Sequence, residues 1–178
     1  MRMGRIESAP MLIALRLTHI VFGVFWAGTA MFNAIFLIPA VRALGPAGAP
    51  VMQQIGEKQN LSAYFLGSGV LTVLSGLGLY WYDSKGFTGE FMRSRGGMTF
   101  GTGGVLAIAA IILGIFVITP AAKRAAALGG QIAAGGKPPT PEQGAEMKRL
   151  QMRIGKTGAL GALLLTLTTI AMAVARYL

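Results

Sequence analysis

Residues 96–122, GGMTFGTGGVLAIAAIILGIFVITPAA, run for 27 positions without an Asp, Glu, Lys or Arg. Similar uncharged stretches of 25, 24 and 19 positions cover residues 17–41, 59–82 and 157–175. About 20 apolar residues in a helix cross a hydrocarbon core roughly 30 Å thick. Lipid offers the backbone no hydrogen bonds, so each stretch must be a helix. The sequence predicts an all-α integral membrane protein with one transmembrane domain, 1–178, and spans at about 11–41, 60–82, 98–122 and 157–177.

The composition is that of a membrane protein, and it excludes chemistry that depends on cysteine. Hydrophobic residues make up 53% of the chain and charged residues only 12%, whereas soluble domains carry about a quarter. Short connections between long helices favour an antiparallel up-down-up-down four-helix bundle. The chain has no cysteine, which excludes disulfides and thiolate metal sites.

The positive charge is divided unevenly between the two ends of the predicted bundle. The first and third connections hold nine Lys or Arg residues, against seven on the opposite side. This bias predicts that these connections face the cytoplasm and that both termini lie outside it. Basic loops of this kind account for the net charge of +10, and no basic stretch is interleaved with aromatic residues. Nucleic acid is therefore not an expected partner.

Turn and cap signals divide the chain between the spans. The first helix is expected to start at 8–10 and end near Ala43, with a second helix starting at 47–50. Paired glycines and prolines make 128–139 the most flexible predicted segment. Thr140-Pro141-Glu142-Gln143 is a capping-box pattern that starts the fourth helix. The fourth helix then has a basic extension, 141–156, before its span.

The first span carries the only histidine of the chain, His19, within the pattern His-x6-Trp-x-Gly that continues to Trp26 and Gly28. An ionisable side chain inside a bilayer is a functional-site hypothesis by default. Helical spacing places it on a stripe that is expected to face inward, with Arg16 near enough to the surface to extend its charge there. The stripe comprises Leu12, Leu15, Arg16, His19, Gly23, Trp26, Ala30, Asn33 and Leu37.

The other three spans present small-residue faces, which allow helices to approach closely in lipid. These faces are predicted packing surfaces for the His19 stripe. They comprise Ser68, Thr72, Ser75, Gly76 and Leu79; Gly103, Ala107, Ala110, Gly114 and Val117; and Gly158, Gly161, Leu165, Thr168 and Met172.

The sequence argues against several functional classes. All six acidic residues lie in connections or at membrane edges, whereas proton relays and ion-coupled transporters usually use carboxylates inside the membrane. One histidine without cysteine cannot complete a transition-metal site within one chain. No nucleophile and base can be paired, so no catalytic residue is assigned and a self-contained enzyme is not expected.

The segments 17–19, 26–28 and 36–42 resemble the first helix of small bacterial membrane proteins of the CopD and HemJ type. The resemblance is closest to an uncharacterised family of four-span proteins that end in Ala-Arg-Tyr, here 175–177. It implies a multi-pass protein of the bacterial cytoplasmic (inner) membrane. In HemJ-type proteins it implies that the histidine matching His19 binds a b-type heme, with a lysine in a later span. The third span here has no lysine before Lys123.

The favoured hypothesis is a non-catalytic accessory or scaffold subunit of a larger membrane complex of the respiratory or photosynthetic type. Its partners would be membrane lipids and either other membrane subunits or further copies of the chain. Two alternatives remain. One, described next, is tetrapyrrole binding, and the second is solute or copper transport.

The first alternative is a protein that binds a tetrapyrrole such as heme b, with His19 as the axial metal ligand. Met172 would be the second ligand, Arg16 and Arg176 would meet the propionates, and residues 80–82 would close the site. The predicted cofactor-binding residues are His19, Met172, Arg16, Trp26 and Arg176.

Overall fold

The computed structural model describes residues 9–178, apart from the side chains at 46, 49 and 57, and all regular secondary structure in that range is helical. The sequence prediction of an all-α multi-pass membrane protein is confirmed by four helices that are long and apolar enough to cross a membrane. Residues 1–8, which include the predicted helix start at Ser8, lie outside the described residues. The four helices are α1 (Ala9–Ala43), α2 (Leu61–Asp83), α3 (Arg95–Ala134) and α4 (Pro141–Tyr177).

Two of the long helices contain a wide π turn that ends two residues before a proline. In α1, residues Asn33–Leu37 form this turn before Pro39, and in α3 residues Gly114–Ile118 form it before Pro120. Proline lacks an N–H and its ring collides with the carbonyl four residues earlier, so the helix widens locally. The backbone then resumes as Ile38–Ala43 in α1 and Thr119–Ala134 in α3. Both helices therefore pass their proline without ending.

The start of α4 is the capping box that the sequence predicted. The Thr140 side chain accepts a hydrogen bond from the Gln143 backbone N–H at 3.2 Å, and the Gln143 side chain accepts from the Thr140 N–H at 3.0 Å. Pro141 occupies the first turn, where no N–H is required. The helix continues to Val174 and ends in a 3-10 turn, Ala175–Tyr177.

The expectation of a flexible segment at 128–139 is wrong for its first half, because α3 remains helical to Ala134. The reason is packing on α4, which a local pattern does not reveal. Ala121 and Leu150 are buried between the helices, and the Met147 methyl lies 3.9 Å from a β-carbon position at Gly129. The end of α3 and the start of α4 thus form a helical hairpin beyond the apolar spans, which we call the basic hairpin, residues 119–156.

The connection before α2 also differs from the prediction of one continuous helix from 47–50. A short helix, Gly48–Gln53, is followed by a π turn, Gln54–Lys58. Asn60 then adopts a left-handed conformation with a φ of 52°, which asparagine tolerates better than most residues, and α2 starts at Leu61. Between α2 and α3 lies another short helix, Gly89–Arg93.

The close contacts of α1 with α2 run in opposite order along the two helices. Leu15 meets Gly78, His19 meets Gly76, and Trp26 meets Gly69. The pair α3 and α4 shows the same order, with Gly96 at Ala175 and Gly103 at Met172.

The α2 small-residue face therefore packs on α1 as expected, and Gly103 on α3 packs on α4. The expectation fails for Gly114, Gly158 and Gly161, where a β-carbon would meet nothing within 4 Å. A central cluster joins α1, α3 and α4, and consists of Trp26, Ala30, Ala107, Ala110, Ala162 and Leu165. Four of its six members are alanine, so close helix approach rather than large side chains fills the centre.

Candidate functional site

The His19 imidazole lies between α1 and α2, where its Nδ1 is 2.8 Å from the backbone carbonyl oxygen of Thr72. A carbonyl only accepts hydrogen bonds, so Nδ1 must carry the proton and donate it. In the neutral ring, this tautomer leaves a lone pair on Nε2. The arrangement fixes both the orientation of the ring and the identity of its protonated nitrogen.

Gly76 makes the room that the imidazole occupies. A β-carbon at this position would lie 2.7 Å from Cε1 and 2.9 Å from Nδ1 of His19, closer than real β-carbons approach other atoms. One turn earlier on α2, the Thr72 methyl lies 3.4 Å from a β-carbon position at Gly23. The predicted inward orientation of this part of the His19 stripe is confirmed, and its partner is the α2 small-residue face.

The hydroxyl groups around His19 are satisfied by their own helix. Thr72 Oγ1 donates to the Ser68 carbonyl at 2.7 Å, and Ser75 Oγ donates to the Leu71 carbonyl at 2.5 Å. Among the side chains that the structure describes, no fully buried nitrogen or oxygen lacks a hydrogen-bond partner. These hydroxyls donate their protons within α2, and the Nε2 lone pair of the neutral imidazole is the nitrogen acceptor at this site.

Trp26, the second residue of the sequence pattern, is part of the core. Only 3% of its surface is exposed, and its ring meets Phe65 edge to face with centroids 6.3 Å apart. Gly69 provides the space, because a β-carbon there would lie 2.9 Å from the indole Cε2. The structure places this predicted cofactor-binding residue in helix packing.

The remaining predicted cofactor-binding residues occupy separate positions. Met172 packs on α3, where its methyl lies 3.0 Å from a β-carbon position at Gly103, whereas His19 packs on α2. Arg16 is exposed on α1. Arg176 is exposed in the last turn, and its guanidinium lies 5.4 Å from the centre of the Tyr177 ring.

Two further hydrogen bonds between helices were not predicted from the sequence. Thr168 Oγ1 on α4 donates to the Gly103 carbonyl on α3 at 3.2 Å. The Tyr80 hydroxyl on α2 donates to the Gly97 carbonyl on α3 at 3.1 Å, and its ring meets Phe91 edge to face. In both cases a hydroxyl-bearing side chain donates to a glycine carbonyl on the neighbouring helix. A hydroxyl residue in one span and a glycine in another are the sequence features that could have indicated these bonds.

The turn after α2 has an unusual backbone. Lys85, Gly86 and Phe87 have φ values of 52°, 82° and 61°, a left-handed region that non-glycine residues rarely adopt. Ser84 is fully buried at the start of this turn, and its Oγ accepts a hydrogen bond from the Phe87 N–H at 2.9 Å. An open depression of about 590 Å³ lies alongside, lined by Trp81, Tyr82, Asp83, Lys85 and Gly86. Among the side chains that the structure describes, no group of three or more from His, Cys, Asp and Glu could hold a metal ion.

The charges beyond the spans are concentrated on the basic hairpin. Glu146 and Arg149 form an ion pair at 2.8 Å, and the hydrogen bond from Arg149 lowers the pKa of the Glu146 carboxyl, with a smaller contribution from Arg124 on α3. A backbone hydrogen bond at the helix start, followed by one from Thr140, lowers the pKa of Glu142. Both carboxylates are therefore charged at neutral pH.

No protein-family model, curated protein or solved structure matches this chain. The likeness to CopD- and HemJ-type proteins accordingly remains an expectation from segments between residues 17 and 42.

We predict that Gly76→Ala lowers the free energy of unfolding by about 1–3 kcal/mol, the usual cost of overpacking, because the new methyl displaces the imidazole from the Thr72 carbonyl. Gly78→Ala is the matched control on the same helix, since its β-carbon would meet the Leu15 methyls at an ordinary 3.5 and 3.6 Å. Denaturant unfolding in detergent, followed by circular dichroism, measures both. Equal stability of the two variants would contradict the assigned fit of His19 against Gly76.

Proposed function

We propose that this chain is a non-catalytic subunit of a larger assembly in the bacterial cytoplasmic membrane, built as an antiparallel up-down-up-down four-helix bundle. The opposite order of contacts in the pairs α1–α2 and α3–α4 supports this arrangement. The excess of Lys and Arg in the first and third connections supports a cytoplasmic position for the basic hairpin.

The observation that carries the proposal is a set of glycines in the spans whose small size the chain itself does not use. A β-carbon at any of them would meet nothing within 4 Å, unlike the β-carbons at Gly69, Gly76 and Gly103. Glycine costs a helix about 1 kcal/mol relative to alanine. Close approach of a helix from another chain supplies a reason for that cost. The set comprises Gly28, Gly67, Gly104, Gly114, Gly158 and Gly161.

Asn33 gives a second reason to expect a partner chain. Its side chain is half-buried in the π turn of α1, and the amide makes no hydrogen bond within residues 9–178. An amide in hydrocarbon costs several kcal/mol when it is unpaired. Asparagine side chains commonly bond across helices of different chains in lipid, which would remove this cost.

We predict that Gly161→Leu and Gly114→Leu leave the chain inserted and helical but reduce the recovered assembly about tenfold, as the loss of roughly 1.4 kcal/mol of contact implies. Val105→Leu is the control, because this side chain is 67% exposed and its enlargement fills no glycine gap. Gentle extraction, a native gel and mass spectrometry of the bands provide the measurement. A wild-type chain that migrates alone as a monomer under these conditions would refute the subunit proposal.

A second candidate function, tetrapyrrole binding, rests on the tautomer of His19. Histidines that bind a metal usually donate their other ring N–H to a carboxylate or a backbone carbonyl, as Nδ1 does here toward Thr72. Nε2 would then bind the metal, with Arg16 and Arg176 as cations for the propionates. Met172 would have to leave its contact with Gly103 to serve as the second ligand.

A visible absorption spectrum of the protein purified from its native membrane tests this second candidate. Tetrapyrrole binding predicts a Soret band that His19→Ala abolishes, since the only imidazole would be lost. As a control, circular dichroism of the His19→Ala protein must show that it remains helical. Loss of the Soret band can then be assigned to loss of the ligand rather than to unfolding. A wild-type preparation without any Soret band would refute tetrapyrrole binding and leave the subunit proposal intact.

A further inference from the structure

All four uncharged stretches end in a cation at the same end of the bundle. Arg42 follows residues 17–41, Lys58 precedes 59–82, Lys123 follows 96–122 and Lys156 precedes 157–175. Because the first charge after an apolar span marks the boundary between hydrocarbon and headgroups, these cations are expected at the level of the lipid phosphates. The basic hairpin continues outward from this level.

Arg42 is brought to the base of the basic hairpin by a specific contact. Its guanidinium lies across Gly155 of α4, where a β-carbon would overlap Nη2. Gly155 directly precedes Lys156, so the end of α1 and the first charge before the fourth span lie at the same level of the bundle. Arg42 remains exposed, and a guanidinium has the geometry to bind a phosphate through two parallel hydrogen bonds.

Positive charge is in excess at this base of the basic hairpin. Residues 119–156 contain seven Lys or Arg and two Glu, a net charge of +5 out of +10 for the chain. Glu146 is already paired with Arg149. Among the side chains that the structure describes, no carboxylate lies within ion-pair distance of Arg42, Lys123 or Lys156. All three residues are exposed, so an anion from outside the chain can reach them.

We propose that Arg42, Lys123 and Lys156 bind the phosphate group of an anionic phospholipid at the base of the basic hairpin. The shared chemistry is that of a phosphate, which a soluble ion also offers. The position of the cations at the ends of the apolar spans favours the lipid, because its acyl chains lie along those same helices. This inference goes beyond the subunit proposal and does not depend on it.

Native mass spectrometry of the full-length protein in detergent tests the site by counting bound lipid. Phosphatidylglycerol is expected to bind more tightly than phosphatidylcholine with the same acyl chains. Arg42→Gln and Lys156→Gln are each expected to weaken phosphatidylglycerol binding about fivefold, the value of one cation near an anionic surface. Lys137→Gln, with the same charge change at the tip of the hairpin, is the control and should bind as the wild type does. Equal affinity for the two lipids, or an equal loss in the control, would overturn the proposal.

Two further experiments complete the test. One distinguishes the position of the Arg42 guanidinium from its charge, and the other distinguishes a lipid phosphate from free phosphate. Gly155→Ala keeps every charge but displaces the Arg42 guanidinium, so it should weaken phosphatidylglycerol binding severalfold. Gly144→Ala is its matched control on the same helical extension, since a β-carbon there meets nothing within 4 Å. Inorganic phosphate at millimolar concentration should not displace the lipid. Displacement by phosphate would identify a soluble-anion site, and unchanged binding in Gly155→Ala would remove Arg42 from the site; either result overturns the proposal as stated.

Discussion

The hydrogen bond from His19 to the Thr72 carbonyl is the constraint on which the packing of the first helix pair depends. Hydrocarbon offers no partner to a polar ring, and an unpaired group there costs several kcal/mol. The imidazole must therefore reach an acceptor within the protein, and Gly76 leaves the space for it to do so. Once this contact sets the register of α1 on α2, Gly23 falls opposite Thr72 and Trp26 falls opposite a glycine.

In the pair α3 and α4, a polar side chain also finds its hydrogen-bond partner on the neighbouring helix, but the residues differ. Thr168 donates to the Gly103 carbonyl, so a side chain again bonds the backbone of its neighbour at a glycine contact. Threonine donates its one hydroxyl proton there, whereas the neutral His19 ring donates from Nδ1 and keeps a nitrogen lone pair on Nε2.

Much of the fold follows from local sequence signals, while the function depends on contacts that such signals do not contain. The spacing of charges predicted four spans, and Thr140 with Gln143 predicted the start of α4. The helix over 128–134 was missed because its glycines favour a loop locally and only packing on α4 keeps it helical. The acceptor of His19 was missed because a backbone carbonyl has no signature in the sequence. Likewise, the sequence shows many glycines, but only the structure separates Gly69, which the chain needs, from Gly161, which it leaves open.

The tautomer of His19 gives the most direct test of this account. The chain has a single histidine, so protein labelled with ¹⁵N-histidine yields one pair of ring nitrogen signals in an NMR spectrum without any assignment step. The hydrogen bond predicts a protonated Nδ1 that is bonded to a carbonyl. A ring that carries its proton on Nε2 alone, or rapid exchange between the two tautomers, would contradict the assigned contact between α1 and α2.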